Sequence, residues 1–388
     1  MNARRRLIAA ALLAASPAFA AEPVIKADAR LDLVGLLQRL SGDPHSPSNP
    51  ESDAAAAHFA RWAKHPAVTH LAKMHATGFD WDHPLQYAVY LSTPPSLREI
   101  HPTPDFFAQL AGGRDSLDAW REEASDFARV SGFLKWETER APRRDAELAA
   151  VGASSAGVDL SSELVHALGV KPWASWTVYV SPFFPHGGGG SWVIEEKPGR
   201  PDVVVMYGPL WNGDKPASDP PWFFAAGVLP EAVFSMTYAV YEVCRPEIRA
   251  AASVCQGMQG MANPEDCVQQ IWVRGLVARL IDRRYGPGAS ANYRRYWPPT
   301  PFQEKADAVY AVYEGDRAKY KDLMDASGIL LAPFQPGGRA PECRLVDRAR
   351  WPETVYTRRL AYFLDARLEA RPDAELRKVL SELPVEGK

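Results

Sequence analysis

The first twenty residues have the three parts of a secretory signal peptide. Residues 4–6 are all arginine, residues 7–15 form an apolar run, and residues 18–20 provide a small-x-small cleavage site. The apolar run is shorter than the roughly 20 residues that a transmembrane helix needs. We therefore expect cleavage near Ala21 and an exported protein, periplasmic or secreted, whose mature chain has no membrane span. Such a chain folds in an oxidising compartment, where disulfides persist.

The composition is typical of a globular protein. Of the 388 residues, 46% are apolar and 23% are charged, and the formal net charge is −3. The chain is long enough to bury a substantial hydrophobic core. Because there is no surplus of positive charge to bind phosphate groups, nucleic acid is not expected as a partner.

Four cysteines follow the signal peptide: Cys244, Cys255, Cys267 and Cys343. An even number in an exported chain predicts two disulfides, for which three pairings are possible. We favour Cys255–Cys267, which closes a short loop rich in Gly and Met, together with Cys244–Cys343, which joins the C-terminal region to the core. The other pairings stay open. The spacing contains no C-x-x-C pair, so a zinc knuckle is not expected.

Hydrophobic periodicity predicts an α+β fold with a helical N-terminal part, a small central β-sheet and then further helices. Apolar residues recur at helical spacing in the first third, whereas β-branched and aromatic runs bounded by Pro and Gly follow in the middle. The predicted helices cover residues 31–40, 54–64, 66–75, 116–136, 231–244, 265–284, 305–313, 318–325, 355–367 and 374–380. The predicted strands cover residues 176–180, 191–194 and 203–207, and we expect them to be neighbours in one sheet.

The histidines of the N-terminal part lack the spacing of a zinc site. His58, His65, His70 and His75 are five or seven residues apart. Zinc ligands on one helix lie three or four residues apart, because only then do they share a face. His65 directly precedes Pro66, and this position favours a surface or capping role at the start of a helix.

His186 is followed by four glycines, a pattern that resembles the oxyanion loop of esterases. The nucleophile motif G-x-S-x-G that should accompany such a loop is missing, and residues 152–157 contain one residue too many for it. A flexible hairpin turn between two strands explains the glycines without any chemistry, and we favour it. His186 and nearby acids nevertheless remain candidates for the catalytic groups of a hydrolase.

Several short segments together resemble a family of exported bacterial proteins, domain-of-unknown-function family 4932. The matching segments are residues 28–33, 38–40, 65–68, 78–79, 86–91, 93–97, 181–185 and 273–274. They are spread over most of the mature chain. The resemblance implies a zinc metallopeptidase-like protein with zincin-like active-site helices after the sheet.

The resemblance also implies a zinc-binding motif, His-Glu-x-x-His, shortly before a proline. Two imidazoles one helical turn apart bind Zn²⁺, and the glutamate between them activates the metal-bound water. In this sequence Thr237 and Tyr241 stand at the histidine positions, Tyr238 at the glutamate position, and Gln270 near the expected third ligand. Hydroxyl, phenol and amide groups are poor zinc ligands. We therefore expect no zinc and no other cofactor.

Three hypotheses about function follow. The leading one is an exported metallopeptidase-like protein with a degenerate zinc site, which binds a peptide or a component of the cell envelope in a cleft near Tyr238, Tyr241 and Trp272. The second is an active hydrolase, peptidase-like or esterase-like, that uses His186 and nearby acids. The third is a structural envelope protein.

We divide the chain into three parts on these grounds. Residues 1–20 are the signal peptide, residues 21–150 form a mostly helical part, and residues 151–388 contain the sheet and the metallopeptidase-like helices. We expect the last two parts to form one continuous globular unit.

Overall fold

The computed structural model of the protein describes most of the chain. The described residues are 23–101, 103–159, 162, 164, 175–188, 190–197, 200–243, 248, 264–296, 303–323 and 325–334. The signal peptide predicted at residues 1–20 and the helices predicted at residues 355–367 and 374–380 lie outside the described residues. Among the described helices, none combines the length and the hydropathy needed to cross a membrane.

The structure contains helices and a small sheet, which confirms the α+β prediction. The helices are α1 Ala29–Ser41, α2 Pro50–Phe59, α3 Pro66–Met74, α4 His83–Ala88, α5 Asp105–Leu110, α6 Arg114–Val130, α7 Phe133–Glu139, α8 Ala141–Ser155, α9 Pro221–Val243, α10 Pro264–Tyr285, α11 Ser290–Tyr296, α12 Gln303–Gly315 and α13 Ser327–Leu331. The strands are β1 Val24–Lys26, β2 Ser175–Val180, β3 Ser191–Lys197, β4 Arg200–Tyr207, β5 Leu210–Asn212 and β6 Lys215–Ala217. Single 3₁₀ turns cover Ala60–Trp62, His75–Thr77 and Ala332–Phe334.

Side-chain caps define the starts of the first helices. The Asp28 carboxylate accepts a hydrogen bond from the Arg30 N–H at the start of α1, and Asn49 forms a capping box with Ser52 at the start of α2. At the start of α3, the His65 ring accepts a hydrogen bond from the Ala67 N–H. The capping role predicted for His65 is therefore confirmed.

The four-stranded sheet has the order β1-β2-β4-β3. β1, β2 and β4 are parallel, whereas β3 runs antiparallel to β4. The three predicted strands are thus confirmed as members of one sheet. β1 was not predicted, because three residues are too few to show the alternation that identifies a strand.

The two faces of the sheet are covered by different helices. Side chains alternate between the faces along a strand, so neighbouring residues of β2 and β4 enter different hydrophobic cores. One core, shared with α8 to α13, contains Trp176, Val178, Val180, Val203, Val205 and Tyr207. The other core, shared with α1 to α7, contains Tyr179, Val204 and Met206. We call helices α8 to α13 the C-terminal layer and helices α1 to α7 the N-terminal layer.

Several predicted helices need correction. The helix predicted at residues 54–64 begins at Pro50 and ends at Phe59, where a 3₁₀ turn follows. The helix predicted at residues 116–136 is broken into α6 and α7 by Gly132, whose φ is +86°. The helix expected at residues 231–244 begins earlier, at Pro221, and continues through Pro230. α8 was not predicted.

The helix predicted at residues 318–325 is wrong, since the described residues there form turns and the helix begins at Ser327. Aspartate side chains explain the difference. The Asp316 carboxylate accepts from the Lys319 N–H at 3.1 Å, and the Asp322 carboxylate accepts from the Asp325 N–H at 2.9 Å. Such local bonds compete with the helical hydrogen-bond ladder.

Candidate functional site

The candidate site lies where the parallel strands β2 and β4 end. His186 is in the segment that follows β2, and an isolated bridge pairs it with Gly208, which follows β4. The carboxyl ends of parallel strands meet at one edge of a sheet, and ligand sites of sheets flanked by helices form at that edge. This position brings His186 beside the start of α9.

His186 is held by a buried carboxylate. Its Nε2 lies 2.9 Å from Asp219 Oδ1 and 3.1 Å from Asp219 Oδ2. The Asp219 side chain is only 3% exposed, whereas that of His186 is 36% exposed. Because a carboxylate only accepts hydrogen bonds, the Nε2–H donates to it, and Nδ1 keeps the lone pair in the neutral ring. In the described part of the chain, Nδ1 has no hydrogen-bond partner.

Two further groups fix Asp219. The Tyr207 hydroxyl donates to Asp219 Oδ2 at 2.9 Å, and the Asp219 N–H donates to Ser154 Oγ at 2.7 Å. Burial and the adjacent carboxylate raise the pKa of Tyr207 well above its ordinary value of 10.0, so the phenol stays protonated and remains a donor. Asp219 therefore accepts hydrogen bonds from both a histidine and a tyrosine.

A cavity of about 140 Å³ opens beside His186. The His186 ring is stacked on Phe223, with 4.7 Å between the ring centroids and 14° between the planes. Tyr293, which is 2% exposed, also lines the cavity, and burial raises its pKa. The remaining lining residues are small: Gly187, Gly188, Ala226 and Gly227. The cavity therefore combines an imidazole and a phenol with apolar walls.

The glycines of this segment are required by close packing. A Cβ atom on Gly227 of α9 would lie 1.8 Å from the Gly187 carbonyl oxygen, and one on Gly208 would lie 2.2 Å from the Phe184 carbonyl oxygen. Gly187 and Gly188 have φ values of +84° and +97°, a region that favours glycine. Only glycine allows α9 to approach the segment this closely.

The hairpin interpretation of the glycine run is wrong, because β2 and β3 each pair with β4 and not with each other. The oxyanion interpretation is not supported for Gly187 and Gly188. The Gly187 N–H donates to the Gly208 carbonyl and the Gly188 N–H donates to the Pro185 carbonyl, each at 3.3 Å. Both groups are already paired and do not face the cavity as free donors.

The positions of the proposed degenerate zinc site lie on two neighbouring helices. Thr237, Tyr238 and Tyr241 belong to α9, and Gln270, which is partly buried, belongs to α10. α9 and α10 pack side by side. The side chains of Thr237, Tyr238 and Tyr241 lie outside the described residues, so their convergence with Gln270 stays a prediction.

Trp272 does not line an open cleft, which corrects that expectation. Its side chain belongs to the core of the C-terminal layer and is 2% exposed. The indole N–H donates to the Leu330 carbonyl at 3.1 Å, and the Trp272 carbonyl accepts from the Tyr310 hydroxyl at 2.8 Å. Burial of the apolar ring, with its single polar atom paired, explains this position.

One of the four cysteines is described. Cys267 is fully buried at the start of α10 and is disulfide-bonded. Cys244, Cys255 and Cys343 lie outside the described residues. The pairings Cys255–Cys267 and Cys244–Cys343 stay predictions.

Within the described residues, no three side chains of His, Cys, Asp or Glu are grouped in a way that could hold a metal ion. No family model, curated protein sequence or solved structure matches this chain. The leading proposal for its function therefore rests on the geometry of the site.

Sequence reasoning found His186 but missed its partners. Asp219 precedes two prolines, a pattern typical of a loop. Tyr207 ends an apolar run that is typical of a buried strand. Asp219 is 33 residues from His186, and nothing in the local sequence indicates that the two residues meet. Their contact depends on the path of the chain around the sheet edge.

Proposed function

We propose that the protein is a hydrolase that binds a small, partly apolar substrate in the cavity beside His186. The observation that supports this most is the contact of His186 Nε2 with both oxygens of the buried Asp219. This contact leaves Nδ1 as the basic atom of a ring that lines a cavity. A histidine oriented in this way by a carboxylate is suited to general-base catalysis.

The proposed reaction uses water as the nucleophile. His186 Nδ1 takes a proton from a water molecule, and the water oxygen attacks the carbonyl carbon of an ester or amide. When the bond to the leaving group breaks, the imidazolium returns the proton to that group, so charge and atoms balance. Asp219 stabilises the imidazolium. Tyr293 also lines the cavity, and we assign its protonated phenol the role of hydrogen-bond donor to the substrate.

Hydrolysis of p-nitrophenyl butyrate tests the proposal, because its acyl chain suits the apolar walls. The protein is first treated with a fluorophosphonate, which blocks serine-dependent esterase activity and leaves hydrolysis by activated water. We expect His186→Ala to lower kcat/KM about 100-fold or more. Asp219→Asn should cause a loss of similar order, because the amide favours the wrong tautomer of the ring.

The matched control is His58→Ala, since His58 is an exposed histidine of the N-terminal layer. It should leave kcat/KM unchanged. Unchanged hydrolysis by the His186→Ala protein would contradict the proposal, provided that its far-UV circular dichroism matches that of the unmodified chain.

A second candidate function is the one implied by the family resemblance: a zinc-free, metallopeptidase-like protein of the periplasm or cell exterior that binds a peptide or an envelope component. The packing of α9 against α10 supports it, because these helices carry the three positions of the expected ligands. This arrangement is what a zinc site with exchanged ligands requires.

Restoring the motif tests this candidate. The combined variant Thr237→His, Tyr238→Glu and Tyr241→His recreates two imidazoles one turn apart on α9. We expect the purified variant to retain about one zinc ion per chain after dialysis, whereas the unmodified protein retains none. Stoichiometric zinc in the unmodified protein, or none in the variant, would count against a degenerate site at these positions.

A further inference from the structure

A serine, a histidine and a glutamate form a linear hydrogen-bonded array between α3 and α6, in the N-terminal layer. His70 Nδ1 lies 2.9 Å from Glu123 Oε2, and His70 Nε2 lies 3.1 Å from Ser116 Oγ. His70 is on α3, whereas Ser116 and Glu123 are on α6. None of these residues belongs to the His186 site.

The Glu123 carboxylate, which can only accept, sets the direction of both hydrogen bonds in the array. The Glu123 carboxylate accepts from the Nδ1–H of His70, so Nε2 of the neutral ring carries the lone pair. The Ser116 hydroxyl then donates its proton to Nε2. This is the arrangement in which a histidine removes the proton of a serine nucleophile while a carboxylate stabilises the resulting imidazolium.

The packing of the two helices holds the array in place. Ser116 and Glu123 are seven residues apart on α6 and therefore lie on the same face, two turns from each other. The residue between them on this face, Ala119, is small and exposed, which leaves room for the His70 ring. One turn earlier on α3, the Ala67 carbonyl accepts from the Trp120 indole N–H at 3.1 Å. Trp120 is fully buried, so this bond fixes the position of α3 on α6.

The start of α6 supplies donors beside Ser116. Gly113 precedes the helix and has no side chain to cap it. The N–H of Leu117 bonds to the Gly113 carbonyl, but within the described chain the N–H groups of residues 114–116 have no acceptor. These groups and the helix dipole favour negative charge next to Ser116 Oγ. An oxyanion that forms at this place would be stabilised.

We propose that Ser116, His70 and Glu123 form a second catalytic site, which cleaves carboxylic esters through an acyl-enzyme. Ser116 Oγ attacks the carbonyl carbon while its proton moves to His70 Nε2. The alcohol leaves with that proton, and Ser116 carries the acyl group as an ester. Water then attacks the ester, gives a proton to His70 and releases the acid, after which His70 returns the proton to Ser116.

The substrate class follows from the exposure of the site. The side chains of His70 and Glu123 are 23% and 32% exposed, so the array lies at the protein surface. Such a site accepts a short acyl group at Ser116 and leaves the alcohol portion in solvent. Esters of small acids on large or polymeric alcohols therefore suit it better than an enclosed small molecule does.

Covalent labelling separates this site from the His186 site, because hydrolysis by activated water forms no adduct. The full-length mature protein is treated with a fluorophosphonate, and the modified peptide is located by mass spectrometry. We expect one label, on Ser116, and none in the Ser116→Ala protein. Turnover of p-nitrophenyl acetate should show a burst of p-nitrophenol, which Ser116→Ala abolishes.

The structure provides a matched pair of acids for a control. Glu123 contacts His70, and Asp126 contacts His65 at 3.4 Å on the same helix interface. The other nitrogen of the His65 ring accepts from the Ala67 N–H, whereas that of the His70 ring is bonded to Ser116. Each acid is replaced by the amide of the same shape, which gives the variants Glu123→Gln and Asp126→Asn. We expect Glu123→Gln to slow labelling about 100-fold and Asp126→Asn to leave it unchanged.

Thermal unfolding of all variants shows whether they keep the fold. Equal labelling rates in Glu123→Gln and the unmodified protein, or label on a residue other than Ser116, would overturn the proposal. Absence of any label on the folded protein would overturn it as well, whatever the outcome of the tests on His186.

Discussion

The two helical layers pack on the same sheet through apolar side chains, but they differ in where they place charge. Where the N-terminal layer meets α8, Arg140 is buried among the carboxylates of Asp32, Glu51, Glu137 and Glu147. In the described C-terminal layer, the pair Arg279–Glu314 lies near the surface, with side chains 30% and 32% exposed. A buried ion cluster that joins several helices constrains how they pack, whereas an ion pair at the surface constrains the packing much less.

The buried cluster connects several elements at once. Arg140 lies 2.8 Å from Asp32 of α1, 3.2 Å from Glu51 of α2 and 3.0 Å from Glu147 of α8. The Ser181 hydroxyl donates to Asp32 at 2.5 Å, which ties the cluster to the segment that carries His186. Buried ion pairs add little net stability, but they are costly to break and they favour one arrangement of the chain. The cluster thus helps to position the segment that carries His186, although the cluster itself lies outside the cavity.

The largest expected effect comes from breaking this cluster. Arg140→Ala leaves the buried carboxyl groups of Asp32 and Glu147 without their cation, whereas Glu51 keeps Arg143 and Glu137 keeps Arg144. We expect it to lower the free energy of unfolding by about 3–5 kcal/mol. Arg279→Ala removes a partly exposed pair and should cost less than about 1 kcal/mol. Urea denaturation of both variants measures the difference. Equal losses would show that the two layers do not differ in this respect.

The pH dependence of stability is the second expected effect. Burial raises the pKa of Asp32 from 3.8 to about 7 and that of Glu147 from 4.5 to about 7. The folded protein therefore binds more protons than the unfolded chain between about pH 4 and pH 7. The contribution of these two groups to stability is fully present below this window and is lost as the pH rises through it, by about 1.4 kcal/mol per pH unit for each proton.

Asp32→Asn should lower by about one the number of protons that the folded protein binds in excess of the unfolded chain. Urea midpoints measured from pH 4.5 to pH 7.5 should therefore fall less steeply. Asp53→Asn is the control, because the Asp53 side chain is 46% exposed and pairs with Arg39 at the surface. It should leave the slope unchanged. A slope that is the same in all three proteins would contradict the role of Asp32.

A smaller effect shows whether the two layers unfold together. Val204 and Val205 are adjacent in β4, both fully buried, and they enter the N-terminal and C-terminal cores respectively. Each change to Ala should cost about 1.5–3 kcal/mol, from lost burial and the cavity left behind. If the protein unfolds in one step, both variants shift the whole transition. A second transition in only one variant would show that the layers unfold separately.

The elements with strong local signals were predicted well. The helices near residues 31–40, 66–75 and 265–284 and the three strands after residue 175 appear where periodicity placed them. The capping role of His65 was also predicted, because it depends only on the next few residues. The predicted boundary at residue 150 lies within α8, so it does not coincide with the end of an element.

The candidate sites were much less predictable. The four glycines after His186 mark it as a candidate in the sequence. The close approach of Gly227 to Gly187 explains why glycine is needed there, and no local sequence pattern indicates that contact. The spacing of His70 in the sequence indicates only that it is a poor metal ligand. Its actual partners, Ser116 and Glu123, are 46 and 53 residues away.

The sequence by itself determined the class of the fold and the positions of most helices and strands, because these follow from periodicity, caps and turn residues over a few neighbouring positions. Only the tertiary structure decided that β1 joins the sheet edge, that the layers cover opposite faces, and that Asp219 meets His186. These contacts join residues far apart in the chain. They depend on which packing buries the most apolar surface while pairing most buried polar groups, a condition on the whole molecule.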